Sequence, residues 1–227
     1  LTKYYKNGTH FDIILKDVLG NVLVNKEVKI TINGVTYKKI TDANGKARLS
    51  INLLPGVYNI TTSFEDDGNY VKSLNTNKIV VLSKIITKFV DNNKFIVKLV
   101  NDDGTPKTNA SLAIIANGVQ YNRITNSSGE ARLNVRLNPS NYIFTVTDGL
   151  EVVSSPVHVL STIRTSDISM FYKDGTRFAA KLYDANGKIV SNKEVAITVN
   201  GVTYNKLTDS KGVAYLNINL NPGVYSI

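Results

Sequence analysis

His10 and His158 are the only imidazoles in the chain, and cysteine is absent. A serine or metal hydrolase needs a positioned base and partner side chains. His10 stands where Lys94 and Arg177 stand in repeated copies of the same sequence, and His158 stands where Val80 does. A residue that the repeat exchanges so freely is not a general base the unit depends on. The lack of cysteine removes a thiolate nucleophile, thiolate metal ligands and disulfide staples. The densest oxygen cluster, Glu65-Asp66-Asp67-Gly68-Asn69, occurs once. It lacks the fixed spacing and bidentate glutamate of a calcium loop and reads as a surface turn. The expectation is therefore no catalytic residue, no metal site and no cofactor. Four N-x-S/T sequons, at Asn7, Asn59, Asn109 and Asn126, complete the chemistry-bearing residues. Export would make them glycan acceptors.

The framework that must position these residues is a threefold repeat. Gly34, Gly118 and Gly201 are spaced 84 and then 83 residues apart, as are Tyr37, Tyr121 and Tyr204. Periods of this length define units before any single residue does. Within each unit the pattern is strand. Val28, Ile30 and Ile32 alternate with Lys29, Thr31 and Asn33, and Ala47, Leu49 and Ile51 alternate with Arg48 and Ser50. Alternation at period two puts one face inward. Asn33-Gly34, Asn117-Gly118 and Asn200-Gly201 follow as hairpin turns, because both central positions of a type I′ turn need positive φ. The segment L-x-P-x-x-Y closes each copy at Tyr58, Tyr142 and Tyr225. It predicts a tyrosine corner, in which the hydroxyl bonds back to upstream backbone.

Tyr4 to Phe11 recurs as Phe171 to Phe178 and, degraded, as Lys88 to Phe95. It reads as two short strands around a turn, with the aromatic of Tyr5, Phe89 and Tyr172 packing at the junction with the preceding repeat. The units run 1–86, 87–168 and 169–227. No Gly-Ser or Pro-rich spacer separates them, which implies end-to-end stacking. The third copy stops after its corner tyrosine and is expected to lack its last strand, leaving an edge open to strand exchange with a neighbour.

The net charge is +9, from 27 basic and 18 acidic residues. Residues 1–87 hold 12 basic and 7 acidic, 88–171 hold 8 and 7, and 172–227 hold 7 and 4. Such a diffuse excess argues against a nucleic-acid interface and for a solvated sheet surface. No apolar run approaches the roughly 20 residues that span a bilayer, so no membrane contact is expected of this segment.

The shared pattern, NGVxY followed by T-[DN]-x-x-G-x-A-x-L and L-x-P-x-x-Y, resembles the tandem immunoglobulin-like repeats of adhesin-like cell-surface proteins of methanogenic archaea. More distantly it is similar to bacterial stalk repeats of the invasin and intimin kind. The resemblance implies an all-β fold of tandem immunoglobulin-like sandwiches. It also implies a non-enzymatic, extracellular, wall-attached stalk, and it brings no active site to carry over. A second reading keeps a direct role for one or more repeats in binding an extracellular glycan or protein.

Overall fold

The computed structural model describes residues 1–227, which form 19 strands and no helix. In the first unit β1 (Thr2–Tyr4), β2 (His10–Ile14), β3 (Glu27–Ile32), β4 (Val35–Ile40), β5 (Lys46–Ser50), β6 (Gly56–Phe64) and β7 (Ser73–Leu82) make two sheets. One has the order β1-β7-β6-β3-β4 and the other pairs β2 with β5. The alternation of β3 sends Val28, Ile30 and Ile32 into the space between them, where they are buried. Leu49 and Ile51 pack with Ile30 and Ile32, and Ala47 packs with Val28.

The second unit repeats the plan with β8 (Ile85–Val90), β9 (Lys94–Leu99), β10 (Ser111–Ala116), β11 (Val119–Ile124), β12 (Glu130–Asn134), β13 (Ser140–Thr147) and β14 (Val152–Val159). Its sheets are β11-β10-β13-β14 and β12-β9-β8. A single cluster fills it, with Phe95, Val97 and Leu133 facing Ile114, Phe144 and Val157. The Phe95 and Phe144 rings meet edge to face at 4.9 Å across the sheets, the geometry their quadrupoles favour. Burial of such side chains, at about 25 cal/mol per Å² of apolar surface, is what holds the layers together.

The third unit contains β15 (Ile163–Arg164), β16 (Arg177–Leu182), β17 (Glu194–Val199), β18 (Val202–Leu207) and β19 (Val213–Asn217). β15-β16-β19 form one sheet and β17-β18 the other. Residues 218–227 form no strand, and β17 pairs with β18 alone. The architecture is all-β, built of tandem sandwich units.

The first strand departs from expectation in the first copy. β8 and β9 form the antiparallel hairpin read from the sequence, with Ile85 opposite Leu99 and Phe89 opposite Phe95. β1 instead runs parallel to β7, Thr2 opposite Val80, and never pairs with β2. Bonds from Tyr5 and Lys3 help to hold it there. The Tyr5 amide donates to the Leu82 carbonyl at 2.9 Å. The Lys3 ammonium turns inward and donates to the carbonyls of Ile51 at 2.7 Å and Thr9 at 3.1 Å.

Candidate functional site

Each unit is closed by one device built on the dipeptide Thr-Asp or Thr-Asn. The Thr41, Thr125 and Thr208 side chains are buried. Their hydroxyls donate to the carbonyls of Leu23, Lys107 and Val190 at 2.6, 2.6 and 2.8 Å. Each also accepts a backbone N–H, from Lys26, Ala110 and Lys193 respectively. The next residue faces the other way. Asp42 Oδ1 accepts from Asn44 and Lys46, Asn126 Oδ1 from Ser128 and Glu130, and Asp209 Oδ1 from Lys211 and Val213. These backbone donors hold the Asp42 and Asp209 carboxyls below the ordinary aspartate range.

The corner tyrosines donate to the residue before the proline: Tyr58 to Leu54 at 2.8 Å, Tyr142 to Asn138 at 2.9 Å and Tyr225 to Asn221 at 3.1 Å. Tyr58 and Tyr142 pack against their cores, whereas Tyr225 is exposed. At the hairpin turns Asn33, Asn117 and Asn200 all have φ of 49°, and Gly34, Gly118 and Gly201 have 76°, 77° and 76°. These values keep both central residues in the left-handed region.

The densest polar convergence lies between the first two units. Only Ser83 and Lys84 separate β7 from β8. The Ser83 hydroxyl donates to the Ile85 carbonyl and accepts the Ile85 amide. Lys84 is held twice, its amide donating to Glu151 Oε2 at 2.9 Å and its ammonium paired with Asp102. Asn7 of the first unit donates to the Asp102 carbonyl at 3.4 Å, and the Tyr4 phenol lies against Gly104, where a Cβ would come within 2.7 Å of its oxygen. Burial pushes the Lys3 ammonium below the ordinary lysine value, opposed by the charge of Asp102. Beside this contact lies an open cleft of about 630 Å³ walled by Tyr5, Leu54, Pro55 and Leu150. Tyr5 is buried in the first unit's own core and lines this cleft, Phe89 packs on the core of the second unit, and Tyr172 is exposed.

No family model matches the sequence, and no curated protein matches it. Among solved structures, a Ca2+-stabilized adhesin with which an Antarctic bacterium binds ice is 14% identical, with 96% of this chain and 63% of that chain covered at a TM-score of 0.28. The Bacteroides ovatus glucan-utilization protein SGBP-B, solved with a mixed-linkage heptasaccharide, is 14% identical, with 98% and 58% covered and a TM-score of 0.28. Domains 1–6 of the surface layer protein SbsC are 16% identical, with 89% and 32% covered and a TM-score of 0.25. The chain therefore spans less than two thirds of the length of each of these three.

The remaining chemistry-bearing residues lie apart from the junction, Asn7 excepted. His10 and His158 are exposed, and His158 Nδ1 lies 2.7 Å from Asn141 Oδ1. In the acidic loop Glu65 pairs with Lys29, Asp67 with Lys26, and Asp66 accepts the Gly68 amide. No three His, Cys, Asp or Glu side chains converge, and no helix is long and apolar enough to cross a membrane. Among the sequons, Asn59, Asn109 and Asn126 are exposed, whereas Asn7 commits its Nδ2 to the junction. Sequence reasoning missed the buried threonines and Glu151. The recurrence of threonine before each capping Asp or Asn was the available signal for the first, and nothing marked the second.

Proposed function

We propose that these units form a non-catalytic stalk or spacer region of an extracellular, cell-surface, adhesin-like protein. The observation that carries this reading is the two-residue connection whose Ser83 and Lys84 are both fixed by side-chain hydrogen bonds. A flexible linker lets neighbouring domains wander, whereas a clasped one projects whatever lies beyond it. The motif resemblance adds the finer reading of a methanogen adhesin-like protein, with units at 1–86, 87–168 and 169–227, structural corner tyrosines, and glycans at the exposed sequons. The alternative, direct binding of a glycan or protein by a repeat, has the junction cleft as its surface. Because the chain holds no cysteine, Ser50→Cys and Asn134→Cys place spin labels at matching exposed positions of the first two units. A narrow distance distribution is expected by electron–electron resonance, and a broad one overturns the stalk reading. Saturable binding to a glycan array would favour the alternative.

A further inference from the structure

β15, β16 and β19 form the third unit's counterpart of the β8-β9-β12 sheet. Phe178, Ala180, Ala214 and Leu216 are buried against the core, so Arg177, Ala179 and Lys181 of β16 and Val213, Tyr215 and Asn217 of β19 alternate to the outer face. Arg164 of β15 lies opposite Lys181 and shares that face. The matching face of the first unit sets Asp12 against Arg48 and Lys46, and that of the second sets Glu130 against Arg132. In the third unit Ala179 stands in the slot of Asp12 and Val213 in that of Glu130. Its strands therefore present Arg164, Arg177 and Lys181 with no acid among them. The ion pairs of the chain all lie between Asp12 and Asp148, and none reaches these three cations.

Tyrosines orient the cations instead. The Arg177 guanidinium carbon lies 4.2 Å from the centre of the Tyr215 ring, its diagonal neighbour across the ladder. That of Arg164 lies 4.4 Å from the centre of the Tyr183 ring, which the Lys181 ammonium also approaches at 5.5 Å. A guanidinium held over a ring keeps its planar N–H fork for another partner. By contrast Arg48, Arg123 and Arg132 spend N–H groups on acceptors within the chain. Asp209 lies close enough for Lys181 to influence it, but its Oδ1 is spent on the Lys211 and Val213 amides. Arg177 and Lys181 stand four residues apart on one strand, a span of about 13 Å. An array of that length suits a chain bearing repeated anionic groups.

We propose that the outer face of β15-β16-β19 binds an acidic polysaccharide, with Arg164 and Arg177 gripping uronic-acid carboxylates and Lys181 adding charge beside Arg164. The arginine fork meets a carboxylate through two parallel hydrogen bonds. Single-stranded nucleic acid fits this face less well, because its bases stack on free aromatic faces and the Tyr183 and Tyr215 rings already carry cations. The face belongs to a different unit from the junction cleft, and the proposal does not rest on the stalk role.

Isothermal titration calorimetry of the 227-residue chain with polygalacturonate tests it, with neutral dextran and single-stranded oligothymidylate for comparison. Polygalacturonate should bind saturably at low ionic strength and weaken as salt screens the contact, and dextran should not bind. Arg164→Gln and Arg177→Gln, both at exposed positions, should each weaken binding at least about fivefold. Arg177→Lys keeps the charge and loses the fork, and should weaken it at least about threefold. Arg132→Gln removes the same charge from the second unit's matching face and should leave the affinity within about twofold. Absence of saturable polygalacturonate binding overturns the proposal. So does an Arg132→Gln loss equal to that of Arg177→Gln, or wild-type affinity in Arg177→Lys. Tighter binding of oligothymidylate than of polygalacturonate would give the face to nucleic acid and overturn it as well. Far-ultraviolet circular dichroism confirms that each variant keeps its sheets.

Discussion

Glu151 accepts the Lys84 amide at 2.9 Å, tying the hairpin loop between β13 and β14 to the connection 67 residues upstream. The carboxylate is 5% exposed, and its other oxygen has no protein partner. Glu151→Ala strands the Lys84 N–H in a poorly solvated place, an error that costs about 1–3 kcal/mol. It should lower the melting temperature of the second unit and broaden the spin-label distances between the first two. Glu151→Gln keeps an acceptor for Lys84 and should preserve the narrow distribution. Equal behaviour of the two variants would show that the hydrogen bond does not set the junction.

Thr125, 1% exposed, donates to Lys107 and accepts from Ala110. Thr125→Val is nearly isosteric yet leaves two part-buried backbone groups unpaired, and should cost about 1–3 kcal/mol in chemical denaturation. The exposed neighbour Ser127→Val should fall within about 0.5 kcal/mol. A Thr125→Val value as small as that of Ser127→Val would mean that water replaces the hydroxyl.

Much of this fold was legible. Apolar alternation located β3, β5 and their counterparts, and the Asn-Gly pairs gave the hairpin turns, because both signals are local. The partner of the first strand was not. Leu1 to Tyr5 and Ile85 to Phe89 occupy equivalent slots, yet β1 joins β7 and β8 joins β9 through tertiary contacts that no local pattern encodes. Nor does any local pattern mark Lys3, whose amine reaches the carbonyls of Ile51 and Thr9. The threonine hydroxyls escaped because threonine carries no polarity signal when its partners lie 15 and 18 residues away.

Two glycines with nearly equal φ separate backbone strain from steric exclusion. Gly118 has φ of 77° and open space where a Cβ would sit, whereas Gly129 has 71° and a Cβ there would lie 2.6 Å from the Leu99 carbonyl oxygen. Gly118→Ala should cost only the left-handed penalty of about 1–2 kcal/mol. Gly129→Ala must also displace the Leu99 carbonyl, which accepts the Lys107 amide, and should cost at least about 2 kcal/mol more than Gly118→Ala. Thermal melts of the two variants check the order, and equal values would place the Gly129 backbone elsewhere.

Asp12 accepts from Arg48 Nε at 2.8 Å and Nη2 at 3.2 Å, and pairs with Lys46 at 2.7 Å. The Arg48 hydrogen bonds, followed by that of Lys46, bring its pKa down to about 2. An unfolded aspartate titrates near about 3.9, so between these values the unfolded chain binds more protons than the folded one. The Asp12 contribution is therefore complete above about pH 4 and is lost as pH falls toward about 2. The side chain is 35% exposed, and screening limits the contribution to no more than about 1 kcal/mol. Ile96 and Ala179 occupy its slot in the other units, which confines the effect to the first. Subtracting the stability of Asp12→Asn from that of the wild type removes the other acid-sensitive aspartates. The difference should be positive at pH 6, shrink below about pH 4 and fall further in 1 M salt. A difference that grows as the solution is acidified would reverse the sign and refute the assignment.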